Sequence, residues 1–213
     1  LTMVLLDAKG RERTRTLRLR TLEQAGDGDW SLTIFDEPAD VKGTALLTYS
    51  HGLEPDDQWI YLPALKRVKR ISSRNKSGPF MGSELAFEDM SSFELDKYQY
   101  KYLRDESCGD LQCFVSEWIP VYEYTGYSRL EVWHDRSEYR VQRIEFFDLA
   151  GEHLKTLLMS DYQLFDGRFW RPMHSRMSNH KTGKVTLLNY TSIAFGLGLT
   201  PRDFDQNSLK RAR

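Results

Sequence analysis

Apolar and polar residues alternate with period two almost from end to end of this chain, and Gly, Asp, Asn and Pro interrupt the alternation at the intervals of a meandering antiparallel sheet. Successive strand residues point to opposite faces, so the pattern commits the chain to a mainly β fold. Thr2–Asp7 leads through Lys9 and Gly10 into Arg11–Leu22, a long and highly charged hairpin. Further strands are expected at Trp30–Glu37, Gly43–Ser50, Gln58–Leu62, Tyr98–Leu103, Gln112–Pro120, Ser128–His134, Tyr139–Asp148, Leu154–Phe165, Phe169–Asn179 and Val185–Phe195. Phe80–Phe93 and the tail Pro201–Arg213 do not alternate, and short helix or loop is expected in both.

Roughly ten or eleven antiparallel strands rarely stay flat, because twist accumulates until the sheet curls or splits. A curled sheet presents one concave face, which Leu130 with Val132, Leu154 with Leu158, Met173 with Met177, and Leu187 with Ile193 are spaced to line. The same residues would fill the core of an ordinary β-sandwich. Met81, Met90, Met173 and Met177 lean toward a cavity, since thioethers adapt to guests of imprecise shape.

The 213 residues, 40% hydrophobic, suffice for one core, so a single domain over 1–213 is expected. Thirty basic and 31 acidic residues nearly cancel, which leaves no global field to draw the protein onto nucleic acid or anionic membrane. No run approaches the roughly 18 apolar residues that span a bilayer. The chain starts at Leu1, as it would if a signal peptide were removed or lay outside it.

Gln58–Met90 is the most informative stretch. Trp59, Tyr61 and Leu62 can line an apolar wall, and Lys66, Arg67, Lys69 and Arg70 begin a basic ridge that continues to Lys76. Phe80, Met81, Leu85, Phe87 and Met90 can close over a cavity, hinged at Gly78 and Gly82. The ridge suits a docking partner or a lipid headgroup, and equally a charged edge that blocks sheet-to-sheet pairing.

Chemistry-bearing motifs are missing. The five histidines have no metal-ligand spacing, the Asp27 and Asp29 turn lacks a downstream bidentate acid, and no phosphate loop or G-x-S-x-G is present. Neither enzyme, metal nor cofactor is expected. Cys108 and Cys113 flank a Gly-Asp hairpin tip and can either pair across it, as a local staple of about 2 kcal/mol, or remain reduced thiols.

The stretch from Gln58 to Ile71, then Gly78-Pro-Phe-Met-Gly-Ser83 and Phe87-Glu-Asp-Met90, resembles the signature of the periplasmic outer-membrane lipoprotein-sorting proteins, the LolA/LolB-like superfamily. Met3–Arg13, Asp40–Thr44, Tyr127–Leu130, Asp148–Lys155 and Trp170–Met173 follow in the same order, so the likeness covers nearly the whole chain. It implies an incomplete (half) β-barrel whose concave apolar face is covered by short helices and loops. It also implies a periplasmic carrier or receptor for lipid or lipoprotein acyl chains, with peripheral or transient membrane contact. Many relatives of this branch accompany RND-type exporters, which adds such an exporter as a partner and a non-catalytic adaptor as the alternative role. The resemblance also implies a helix before the first strand, and the sequence opens in that strand. Cavity wall and lid residues are expected at Trp59, Tyr61, Leu62, Phe80, Met81, Leu85, Phe87 and Met90, with Val132, Met173 and Met177 added from strand alternation.

Overall fold

In a computed structural model, which describes residues 1–26 and 28–211, the alternating segments form a single antiparallel sheet. Its strands are β1 (Thr2–Leu6), β2 (Glu12–Leu22), β3 (Trp30–Glu37), β4 (Ala45–Tyr49), β5 (Asp57–Leu62), β6 (Arg67–Ile71), β7 (Tyr98–Cys108), β8 (Leu111–Pro120), β9 (Tyr127–Asp135), β10 (Val141–Asp148), β11 (His153–Phe165), β12 (Phe169–Asn179) and β13 (Val185–Asn189). A terminal helix, α1 (Gln206–Arg211), follows a 3-10 turn at Pro201–Phe204. Asp27, one of the two acids weighed for a cation, lies outside the described residues, as do 212 and 213 of the tail.

The strand order is β6-β5-β4-β3-β2-β1-β13-β12-β11-β10-β9-β8-β7. Two meanders therefore join in the middle, where β1 pairs with β13, and the free edges are β6 and β7. Twelve of the thirteen strands fall on the expected segments, and the thirteenth, β6, is the basic ridge itself. Arg67, Lys69 and Arg70 are exposed along β6, an edge on which charge discourages pairing with other sheets.

Residues 72–97 connect the two edges by crossing one face, here called inner. The Phe87 carbonyl accepts a 2.8 Å hydrogen bond from Gln58 Nε2 on β5, while Asp89 accepts a 2.7 Å bond from the Tyr127 hydroxyl on β9. Two residues of chain reach about 7 Å. Yet β5 and β9 stand nine places apart, roughly 43 Å in a flat sheet at about 4.8 Å per strand. The sheet must therefore curl around the crossover, with β6 and β7 left unpaired to each other.

Both faces bury apolar side chains. On the inner face, Met3, Leu17, Phe35, Leu46, Ile60, Leu130, Val132, Ile144, Phe146, Leu157 and Met177 form one cluster with Phe80 and Leu85 of the crossover. On the outer face of β3–β5, Leu32, Ile34, Ala45 and Leu47 are covered by Phe204 and by Leu209 of α1. The tail helix thus covers the outer side, and the crossover, with Val41 of the β3–β4 loop, covers the concave side.

Candidate functional site

Phe80 anchors the crossover. It is fully buried between Phe35 and Phe87, with ring centroids 5.8 and 5.6 Å away, and such burial stabilises by about 1.5–3 kcal/mol. A tight turn presents it: the Phe80 amide donates to the Leu85 carbonyl at 2.7 Å, and the Ser83 hydroxyl donates to the Phe80 carbonyl at 2.7 Å. Met81 and Gly82 hold positive φ values of 51° and 74° to close that turn. Glycine adopts this backbone at no steric cost, so Gly82 fits a bend here, whereas Gly78 has no such conformation. The short helix or loop expected at Phe80–Phe93 is loop with one 3-10 turn, Glu88–Met90.

Buried polar groups pin the crossover to both walls of the curl. Lys155 Nζ on β11 lies 2.5 Å from the Asp89 carboxylate and donates to the Glu84 carbonyl at 3.2 Å. Asp56, just before β5, holds Lys97 at 2.7 Å and Lys76 at 3.5 Å, all three side chains being no more than 7% exposed. Burial opposes the Asp56 charge, but the two ammonium groups outweigh it and its pKa falls below the ordinary value. Burial lowers the pKa of Lys76. Glu88 accepts from the Gly126 amide at 3.0 Å, and burial, reinforced by the Asp89 charge, pushes its pKa up to about 7. A Cβ on Gly126 would stand 2.6 Å from Ser77 Cβ, so the close approach of the crossover to this loop requires glycine. A hollow of about 20 Å³, roughly one water, lies among Asp56, Lys76, Glu88, Asp89 and Tyr127.

The chain is similar over 99% of its length to a candidate outer membrane lipoprotein-sorting protein domain from Vibrio parahaemolyticus, with 51% identity, 89% of that chain covered and a TM-score of 0.96. It belongs to the LolA-like lipoprotein-sorting family. A family model described as an uncharacterized protein matches residues 27–211. A DUF1329 family protein from Desulfovibrio piger is 29% identical over 98% of this chain and 88% of its own, with a TM-score of 0.93. A LolA superfamily protein from Nitrosomonas europaea, at 22% identity over 97% of this chain and 88% of its own and a TM-score of 0.78, shares the fold. A search of the curated proteins finds no match.

Within this LolA-like fold, the expected wall and lid residues divide between the two faces. Phe80, Leu85, Val132 and Met177 are buried in the inner cluster, with Leu62, Met81, Phe87 and Met90 packed partly buried against it. Met173 is buried and, four places from Met177 on β12, faces the same side. Trp59 and Tyr61 do not join them. They pack on the outer face with Phe204 and Leu209, because they alternate with Ile60 and Leu62 and a strand cannot aim neighbours at one side. Leu158 and Leu187 are corrected likewise: they alternate with the inward Leu157 and Leu188 and face outward. Lys66 occupies a left-handed turn before β6, and Arg70 pairs with Asp57. Cys108 and Cys113 are joined as a disulfide, with Cα atoms 5.9 Å apart.

The inner face continues past the crossover as an aromatic wall that sequence reading overlooked. Trp118 lies 5.4 Å from Tyr98, 5.2 Å from Tyr100 and 5.9 Å from Phe93, ring to ring. Tyr100 and Tyr102 remain 46% and 60% exposed at the β7 edge. The signal was present in Tyr98-Gln-Tyr-Lys-Tyr102, which places three tyrosines on one face.

Proposed function

We propose that this LolA-like protein carries a lipid, or the acyl chains of a lipoprotein, in the bacterial periplasm and takes part in transport to or sorting at the outer membrane. The observation that carries the reading is the way the concave face is closed. An irregular segment, seated by Phe80, Leu85 and Phe87 and not continuous with the sheet, occupies the space where cargo would lie. Burying a sixteen-carbon chain yields on the order of 12 kcal/mol gross, whereas displacing three such side chains forfeits about 1.5–3 kcal/mol each. The exchange is near enough to balance to permit both loading and release. The open aromatic wall at Tyr100 and Trp118 then offers the chain its first contact. No catalytic group or cofactor is required.

An adaptor role is the second reading. It is favoured by the filled interior and by exposed Phe93, Leu95, Tyr100, Ile119 and Val121 near the β7 edge, the kind of surface that meets a partner. Lys66, Arg67, Lys69 and Arg70 would then dock an acidic surface of an exporter or a lipid headgroup. Native mass spectrometry of protein purified gently from its source separates the two. A bound amphiphile supports carriage. Bare protein that captures an exporter, and loses it when Lys66, Arg67 and Lys69 become Glu, supports the adaptor.

A further inference from the structure

A second hollow, of about 490 Å³, lies on the opposite side of the sheet, within the range of small-molecule sites. Trp133, Leu158 and Leu187 supply its apolar lining, and the disulfide-closed hairpin tip supplies a wall through Cys108 and Gly109. Leu158 is 45% exposed within it, an open apolar surface and not a packed one.

The charges around this hollow are unequal. Arg143 in its lining and Arg104, which reaches the lining residue Glu106, each pair with a carboxylate. Arg176 does not. Its cross-strand neighbours are Leu158 on β11 and Leu187 on β13, and its guanidinium makes no hydrogen bond or ion pair among the described residues. Arg143 also lines the hollow, its guanidinium 4.6 Å over the Trp133 ring and its Nε buried without a hydrogen-bond partner. Glu106 is the one carboxylate in the lining, and it is already engaged by Trp133 Nε1 and by Arg104, both at 2.6 Å. His174 stands beside Arg176 on the same face, bonded to Asn189 at 2.9 Å. An unpaired guanidinium set between two leucines complements a molecule that carries a negative group on an alkyl chain.

We infer that the outer hollow binds a single-chain anionic amphiphile, with its headgroup on Arg176 and its chain along Leu158, Leu187 and Trp133. A fatty-acid carboxylate and a lysophospholipid phosphate share this chemistry. The site is independent of the inner face, so it stands or falls separately from the carrier reading.

Titration calorimetry with dodecanoate below its micellar concentration tests it, with dodecyl maltoside and inorganic phosphate as controls. Circular dichroism first establishes that each variant is folded. The wild type binds dodecanoate at least tenfold more tightly than dodecyl maltoside and does not bind phosphate, and Arg176→Glu and Leu158→Asp each weaken dodecanoate binding at least tenfold. Dodecanoate binding that is lost in Trp118→Ala and kept in Arg176→Glu overturns the outer site and leaves inner-face carriage intact. Binding of phosphate alone, or no binding of dodecanoate, also overturns it.

Discussion

Lys155 reaches from the middle of β11 to the Asp89 carboxylate at 2.5 Å, and this buried ion pair fastens the crossover to the inner face. Asp89 also accepts from the Ala86 amide at 2.6 Å and from the Tyr127 hydroxyl. Removing one partner of such a pair strands the other charge, at a cost of about 3–5 kcal/mol. Lys155→Met should lower stability by about that much in urea denaturation. Lys155→Met combined with Asp89→Asn, whose amide oxygen accepts from Ala86 while its NH2 donates to the Tyr127 hydroxyl oxygen, should lose less. A double variant no more stable than the single one contradicts the pair's role.

Glu88 sets a pH dependence of definite sign. Its folded pKa, about 7, lies above the ordinary carboxyl value, so the native state holds the proton more tightly than the unfolded chain does. The stability this contributes is complete below about pH 4.5 and disappears as pH rises to 7. Asp56, held below its ordinary value despite burial, acts oppositely and withdraws stability as the solution turns acid. The urea midpoint of the wild type should therefore fall between pH 5 and 7.5, and Glu88→Gln, which retains an acceptor for Gly126, should flatten that fall. An equal slope in the variant rejects the assignment.

Trp59 illustrates how far sequence alone reaches. In Gln58–Leu62 nearly every side chain is apolar or aromatic, since one set faces the crossover and the other faces α1. A strand covered on both sides no longer shows which half points inward. The alternation therefore revealed the strands and the curl, yet misplaced Trp59 and Tyr61. Where covering was one-sided, as at Leu130 and Val132, the side was legible. Lys155 escaped notice because a buried lysine looks like any surface cation until Asp89 arrives from 66 residues away. The ridge at Arg67–Ile71 concealed a strand because its role as an edge favours charge over alternation. Phe204→Ala, which empties the outer cover of Trp59, should cost about 3–5 kcal/mol while leaving amphiphile binding at the inner face unchanged. Calorimetry with an acyl probe checks this, and lost binding would restore Trp59 and Tyr61 to the cargo wall.

The Cys108 to Cys113 disulfide closes a hairpin of only a few residues, so its removal costs about 2 kcal/mol in the chain-entropy model. Cys108→Ser with Cys113→Ser should reduce thermal stability by that amount without unfolding the sheet. Loss of cooperative unfolding would mean that the bridge does more than staple the tip.

The central claim is that residues 78–90 stand in for cargo and leave when cargo enters. Hydrogen exchange at the Phe80, Phe87 and Glu88 amides, which donate to Leu85, Gly78 and Lys76, reads this directly. Addition of a lipid ligand that occupies the inner face should speed exchange at these three amides while the β3 and β4 amides stay protected. Bound lipid with the three amides as protected as before would contradict displacement, and with it the account of how this protein carries its load.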